Sequence, residues 1–326
     1  MRKIKIGLLG CGTVGRGFVE LLERNRALIT ERASADVVVH KILVRDPTKE
    51  RSGIDRALLT TRAEDVIENG SDVIVELIGG TDPARRFIRE SIINRKHVVT
   101  ANKAVLSNAG GDLVDLAATH GVQLRFEASV CGAIPIIRVL RQGLVGNRVS
   151  ALRGVVNGTC NFILTRMSDE HLAFDEALRL AQEKGFAEAD PSLDIDGEDA
   201  AQKLTILAQL ALGNRETRWT RREGIRDVSP DDVERAAAAG EVIRLVASAF
   251  DRGNHIELSV GPERLRATDN LALARDEVNA IALQTDGAGE LLFYGRGAGS
   301  LPSASSVLAD VIDIAGVWNV RHVGSS

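Results

Sequence analysis

Lysine is scarce in this chain. Of its 41 basic residues only 8 are lysine, and after His97 only Lys103, Lys184 and Lys203 remain. Arginine keeps its proton at working pH, whereas a desolvated lysine can give its proton up. The few lysines that stayed are therefore candidates for proton chemistry, although an arginine-rich composition by itself reflects codon usage. Cysteine is scarce too: Cys11, Cys131 and Cys160 are an odd number, without CxxC or Cys/His spacing and without an apolar signal region before them. That pattern excludes a disulfide framework and a zinc motif, and it predicts reduced thiols in a cytoplasmic protein. No apolar run approaches the roughly 18 residues of a membrane span. Eleven aromatics (8 Phe, 2 Trp, 1 Tyr) make no stacking platform, and a net charge of −4 without a basic run gives no field for nucleic acid.

What is present is an ordinary globular composition, 44% hydrophobic and 26% charged over 326 residues. That length predicts two domains. Lys3 to Leu9 reads as a strand running straight into Gly10-Cys11-Gly12-Thr13-Val14-Gly15. An amphipathic helix with Phe18, Leu21, Leu22 and Leu28 on its apolar face follows, then a second strand from Val37 to Val44. This is the βαβ context that a dinucleotide fingerprint requires. Gly10 permits the tight turn, Gly12 lets a pyrophosphate approach the backbone, and Gly15 lets helix pack on strand. The helix start supplies N–H groups and partial positive charge.

An NAD-preferring site would carry Asp or Glu at the end of the second strand, and here Arg45 stands there, followed by Asp46. Arg45 suits the 2′-phosphate of NADP. A solvated strand-end charge is the alternative, and Asp46 weakens the inference. Alternation continues with strands at Asp72–Ile78, His97–Thr100 and Val122–Phe126 and helices at Pro83–Asn94 and Asp112–His120. A doubly wound sheet over residues 1–135 results, with ligands expected beyond the carboxyl ends of its strands. Thr100-Ala-Asn-Lys103 and Glu127-Ala-Ser-Val130 lie at such ends.

From about residue 136 the pattern changes. A strand from Val149 to Val156 ends in the polar turn Asn157-Gly158-Thr159, and helices follow at Phe174–Glu183 and Ala200–Leu212. Runs at Val242–Phe250, His255–Val260, Ala280–Gln284 and Leu291–Tyr294 predict an antiparallel sheet, a candidate subunit interface. A last helix, Ser303 to Ile314, follows the turn Gly297-Ala-Gly299 and returns the chain to the first domain. The expected fold class is therefore α/β. A Rossmann-type dinucleotide-binding domain (1–135 and about 300–326) is joined by an α+β substrate-binding and dimerisation domain (136–299).

The densest chemistry lies between Ala181 and Lys203, with six carboxylates from Glu188 to Asp199. A solvated acidic loop is the plain reading. A calcium loop fails because Gly197 stands at position 4 after Asp194 rather than position 6. Asp199 and Lys203 share one helix face, four residues apart. At a cofactor cleft they would offer an amine to an oxygen and a carboxylate to an ammonium.

The string Ala181 to Lys203 resembles the homoserine dehydrogenase signature, A-x3-G-F-A-x2-DP-x2-D-I-x-G-x-D-x3-K, with every fixed position filled. Thr100-Ala-Asn-Lys103, Glu127-Ala-Ser-Val, Asn157-Gly-Thr159 and Gly297-Ala-Gly299 resemble that family's blocks in the same order, so the likeness spans the chain. The resemblance implies interconversion of L-aspartate 4-semialdehyde and L-homoserine with NAD(P)H, in threonine and methionine biosynthesis. It implies Lys203 as proton donor and acceptor, with Lys103 as a second catalytic lysine. Glu188 and Asp199 would bind the substrate amino group, with Gly185, Asn157, Gly158 and Thr159 shaping the pocket. Thr13, Val14, Thr100, Lys103 and Gly299 would contact the cofactor, with NADP(H) preferred over NAD(H). Glu127, Val130, Gly132 and Ile134 resemble a sodium or potassium site. A homodimer or homotetramer is implied as well. Many members carry a C-terminal regulatory ACT domain; about ten residues follow the last predicted helix here, so the short form is expected. The rival reading is a catalytically inactive NADP-binding sensor of the same fold, against which the intact Lys103, Lys203, Glu188 and Asp199 speak.

Overall fold

The computed structural model describes residues 1–323, with side chains through Gly316. It divides into two compact units, Met1–Ala133 together with the chain from Gly299 onward, and Ile134–Ala298.

The first unit begins with β1 (Lys3–Leu9), α1 (Thr13–Arg24), α2 (Arg26–Ala33), β2 (Asp36–Leu43) and β3 (Leu59–Thr60). It continues with α3 (Glu64–Ile67), β4 (Val73–Glu76), α4 (Ala84–Ile93), β5 (His97–Thr100), α5 (Lys103–Thr119) and β6 (Leu124–Arg125). The strands form one parallel sheet in the order β3-β2-β1-β4-β5-β6, the doubly wound arrangement the sequence predicts. Its strands are buried on both sides. Val73 and Val75 join one cluster with Phe18, Leu22, Val307 and Val311, while Ile74 joins another with Val66, Ile67 and Phe87. Fully burying each such side chain contributes about 1.5–3 kcal/mol. The order reverses between β1 and β4, which is where such sheets hold ligands.

Three expectations need correction here. The first helix is not continuous to Leu28: it breaks at Asn25 (φ −108°, ψ 20°), and Leu28 is 44% exposed on α2. The helix expected at Asp112–His120 begins at Lys103, because Asn102 caps it with Oδ1 on the Val105 N–H at 3.1 Å, and the Gly110-Gly111 pair had disguised its first half. The strand expected through Ile78 stops at Glu76, whose carboxylate takes the Ile78 N–H at 2.7 Å.

The second unit opens with α6 (Ile136–Arg138), β7 (Val149–Val155), α7 (Gly158–Glu170), α8 (Phe174–Glu183), α9 (Ser192–Ile195) and α10 (Glu198–Leu212). Then come β8 (Thr217–Arg222), α11 (Pro230–Ala238), β9 (Glu241–Asp251), β10 (Ile256–Arg266), β11 (Val278–Thr285) and β12 (Glu290–Arg296). The sheet order is β12-β11-β7-β9-β10-β8. It is mixed rather than wholly antiparallel, because β8 pairs parallel to β10. That strand escaped notice because its sequence, Thr-Arg-Trp-Thr-Arg-Arg, is polar and mostly exposed, as edge strands are. Helix α7 was also missed, its capping residues having read as a simple turn.

The chain returns to the first unit in α12 (Ser300–Val323), which packs on α1. Gly17 makes this contact possible: a Cβ there would lie 2.4 Å from the Ser300 hydroxyl oxygen and 2.8 Å from its carbonyl oxygen. Glycine to alanine in a helix normally stabilises by about 0.8–1 kcal/mol. Here Gly17→Ala should instead destabilise by about 1–3 kcal/mol in urea unfolding, since the helices must separate. A gain in stability would refute the packing argument.

Candidate active site

In the first unit the glycine turn has the geometry a dinucleotide needs. Gly10 adopts φ +98°, and a Cβ on it would meet the Leu77 carbonyl at 2.8 Å. Gly15 lies against the Gly10 carbonyl, where a Cβ would come within 2.5 Å. Above Gly12 there is open space, with nothing within 4 Å of an added Cβ. Thr13 and Val14 begin α1, and the Ser300 hydroxyl donates to the Thr13 carbonyl at 2.8 Å, so Gly299 lies beside that helix start. Around the turn runs a cleft of about 810 Å³ whose lining includes Gly10, Gly12, Thr13, Arg16, Arg45, Lys49 and Arg51. These features fit a dinucleotide phosphate chain.

Arg45 is exposed at this cleft. The neighbouring Asp46 carboxylate is turned onto its own loop, accepting the Thr48 N–H at 2.8 Å and hydroxyl at 2.6 Å. Those hydrogen bonds hold its carboxyl below the usual range. Arg51 braces the same loop through the Asp46 and Lys49 carbonyls. Cys11 sits in the turn as a buried thiol, and burial pushes its pKa up.

Thr100 is completely buried. Its hydroxyl donates to Glu76 at 2.5 Å and accepts the Asn102 N–H at 3.0 Å, so its side chain ties β4, β5 and the following loop together. Lys103 follows as the first residue of α5, half-buried. The segment resembling a cation site lies on a short turn, with Glu127 buried and Cys131 and Gly132 both left-handed (φ +52° and +44°). Asp310 accepts the Glu127 N–H at 2.8 Å, and the Ser306 hydroxyl donates to the Gly132 carbonyl at 2.6 Å. Val130 is buried there, and Ile134 falls in the second unit. No cluster of three His, Cys, Asp or Glu stands ready for a metal among the described residues, so a cation here would rest largely on main-chain carbonyls.

In the second unit the structure sorts the six carboxylates. Asp196 pairs with Arg226, and Glu198 with Arg222, on the outside. Asp190 lies two residues before α9 and accepts the Ser192 N–H at 3.1 Å. Glu188 is exposed in its loop, and Gly185 (φ +76°) ends α8 with open space around it. Asp194 and Asp199 point inward. Asn157 donates to both at 2.7 Å while its Oδ1 caps α7 through the Cys160 N–H at 2.7 Å. One amide thus locks a helix start and two carboxylates.

Lys203 completes this cluster. Its Nζ donates to the Asp199 carboxylate at 2.7 Å and to the Val156 carbonyl at 2.8 Å. Both side chains are nearly buried, at 11% and 5% exposure. The pair is therefore the inward one of the two alternatives the spacing left open. Gly158 lets the Glu277 carbonyl lie close to the start of α7, where a Cβ would meet it at 2.8 Å. The Thr159 hydroxyl donates to the Phe186 carbonyl at 2.8 Å, fastening the α8–α9 loop. Cys160 donates to the Asp194 carbonyl at 3.2 Å, and burial beside Asp194 and Asp199 keeps it a thiol. Sequence reasoning passed over two residues: Asp194, a fixed position of the signature, and Glu76, a carboxylate ending an otherwise apolar strand.

A dinucleotide fold joined to a unit carrying a buried lysine–aspartate pair defines a nucleotide-dependent oxidoreductase. The NAD-binding-domain model of homoserine dehydrogenase matches residues 10–127, and the homoserine dehydrogenase model matches residues 135–312. The Bacillus subtilis homoserine dehydrogenase is 38% identical, the match covering 100% of this chain and 76% of that protein. The structure of a homoserine dehydrogenase from Thiobacillus denitrificans superposes with a TM-score of 0.93 at 42% identity, covering 98% of this chain and 75% of the other. A hyperthermophilic archaeal homoserine dehydrogenase in complex with NADPH superposes with a TM-score of 0.82 at 30% identity, covering 96% and 97% of the two chains. The chain belongs to the homoserine dehydrogenase family of oxidoreductases acting on CH–OH groups.

Removing the amine would strand a buried carboxylate. Lys203→Met should cost about 3–5 kcal/mol in urea unfolding, and adding Asp199→Asn should recover part of that loss. Equal stability of wild type and Lys203→Met would refute the burial of the pair.

Proposed function

We propose that the chain reduces L-aspartate 4-semialdehyde to L-homoserine, and catalyses the reverse, with NADPH preferred, Lys203 as acid/base and Lys103 as the second catalytic lysine. The observation that carries the reading is the nearly buried Lys203 amine, aimed by Asp199 and the Val156 carbonyl. The glycine turn and the start of α1 would hold the phosphates of a reduced nicotinamide dinucleotide, which would supply the hydride for the aldehyde carbon. Charge then develops on the aldehyde oxygen, and Lys203 donates a proton to it as it does so. Glu188 and Asp199 take the substrate ammonium, and Asn157, Gly158, Thr159 and Gly185 shape the pocket.

The preference for NADPH rests on the cleft's cations, Arg16, Arg45, Lys49 and Arg51, and on an Asp46 carboxylate already engaged with Thr48. The NADPH complex of the archaeal relative supports a nicotinamide dinucleotide as the cofactor. Sodium or potassium is proposed at Glu127, Val130, Gly132 and Ile134, where oxygen donors suit a hard cation. We place the protein in the cytoplasm, as a homodimer or homotetramer; β12 leaves Leu292 and Tyr294 exposed at 37% and 54%, consistent with association. Among the described residues no helix is long and apolar enough to cross a membrane.

NADPH consumption with aspartate semialdehyde tests the activity, and its absence would favour the inactive sensor. Lys203→Arg should fold and bind NADPH yet lose about 10²–10⁴-fold in kcat; wild-type kcat in that variant would refute its role. Arg45→Ala should raise KM for NADPH at least about tenfold, the worth of one charged hydrogen bond, while leaving NADH nearly unchanged. Rates in sodium or potassium chloride against choline chloride test the cation, and equal rates would refute it.

A further inference from the structure

A fully buried carboxylate lies at the switch point of the parallel sheet. Glu76 is 0% exposed, ends β4, and pairs in register with Leu9 of β1 and Thr100 of β5. Burying a carboxylate is costly unless hydrogen bonds meet its oxygens, and here both are met. Its two oxygens have separate duties. Oε1 accepts the Ile78 N–H at 2.7 Å, which fixes the Leu77–Ile78 segment against Gly10 at the nucleotide cleft. Oε2 accepts the Thr100 hydroxyl at 2.5 Å.

From Thr100 the chain of bonds runs to the lysine. Thr100 Oγ1 accepts the Asn102 N–H at 3.0 Å. Asn102 then uses Oδ1 to cap α5 through Val105 and Nδ2 to donate to the Gly80 carbonyl at 2.8 Å. Lys103 is the next residue, the first of α5. We infer that Glu76 is a positioning residue, an acceptor-only anchor that sets both the wall of the nucleotide cleft and the helix start from which Lys103 projects. This rests on the assignment of Lys103 as a catalytic lysine.

The acceptor character matters because Thr100 has one proton. With its hydroxyl hydrogen committed to Glu76, its lone pair is aligned for Asn102. Glutamine at this position has one acceptor oxygen for two buried donors, so its NH2 would face either the Thr100 hydroxyl or the Ile78 N–H and leave that donor unsatisfied. A displacement of about 1 Å at a reacting group costs on the order of 100-fold in rate.

A double-mutant cycle tests the inference, using Glu76→Gln, Lys103→Ala and the double variant in the full chain. Glu76→Gln should fold, with the wild-type circular dichroism spectrum, and lose about 10- to 100-fold in kcat. In the Lys103→Ala background the same change should have little further effect on kcat, whereas any rise in KM for NADPH, which reports the cleft wall, should persist. If the two losses multiply, or if Glu76→Gln keeps wild-type kcat, the inference is overturned. Should Glu76→Gln fail to fold, Thr100→Val removes the same bond and takes its place in the cycle: non-multiplying losses support the inference, and multiplying losses or wild-type kcat overturn it. Wild type inactive on aspartate semialdehyde would overturn the activity reading, and this inference with it. Active wild type with multiplicative losses overturns the positioning role alone.

Discussion

An ammonium taken out of water must be met by oxygen, and in the second unit the arrangement around the Asn157–Thr159 turn follows from how Lys203 is met. The Val156 carbonyl at the end of β7 and the Asp199 carboxylate in the first turn of α10 supply two acceptors. Both must then be held, and Asn157 does this by capping α7 while donating to Asp194 and Asp199. Three elements are thereby fixed to one another through polar groups that are largely buried. Cooperative networks of this kind tolerate little loosening, since each unsatisfied member carries a desolvation penalty. Small residues permit the closeness: Gly158 against the Glu277 carbonyl and Gly197 against that of Glu223.

The first unit meets the opposite demand, a place for anionic phosphates. It leaves N–H groups and cations uncovered at the start of α1, with the Gly12 backbone open to approach. Yet it too contains a charge out of water, in Glu76. The physical rule is shared. In both Lys203 and Glu76 the bonds of a buried group tie together segments distant in the chain. Arg244 does likewise from β9, donating to the Ala274 and Ile243 carbonyls, and burial lowers its pKa to about 10.

Much of this was readable in the chain itself. The strand-glycine-helix order at residues 3–24, the switch of pattern near residue 136 and the spacing of Asp199 and Lys203 all survive folding. The parts that were not readable share a cause. Strand β8 is polar because it covers an edge, and helix α7 is buried from Thr159 through Thr165 on every face, so periodicity is silent about both. Helix α5 hides its first half behind a glycine pair. Leu28 reads as part of an apolar stripe but follows the break at Asn25, so it faces solvent.

What the sequence determined alone was chemical inventory and local order. It set which positions keep a titratable amine, where glycine frees a turn, and a signature dense enough to name a family. Tertiary structure decided which of six adjacent carboxylates turn inward, because that depends on arginines more than twenty residues away: Arg222 and Arg226 draw Glu198 and Asp196 outward, leaving Asp194 and Asp199 for Asn157. It also decided that Thr100 is an anchor and Glu76 its acceptor, since their partnership exists only when β4 and β5 lie side by side. Burial and pairing across strands are properties of the packed chain, and no local pattern encodes them.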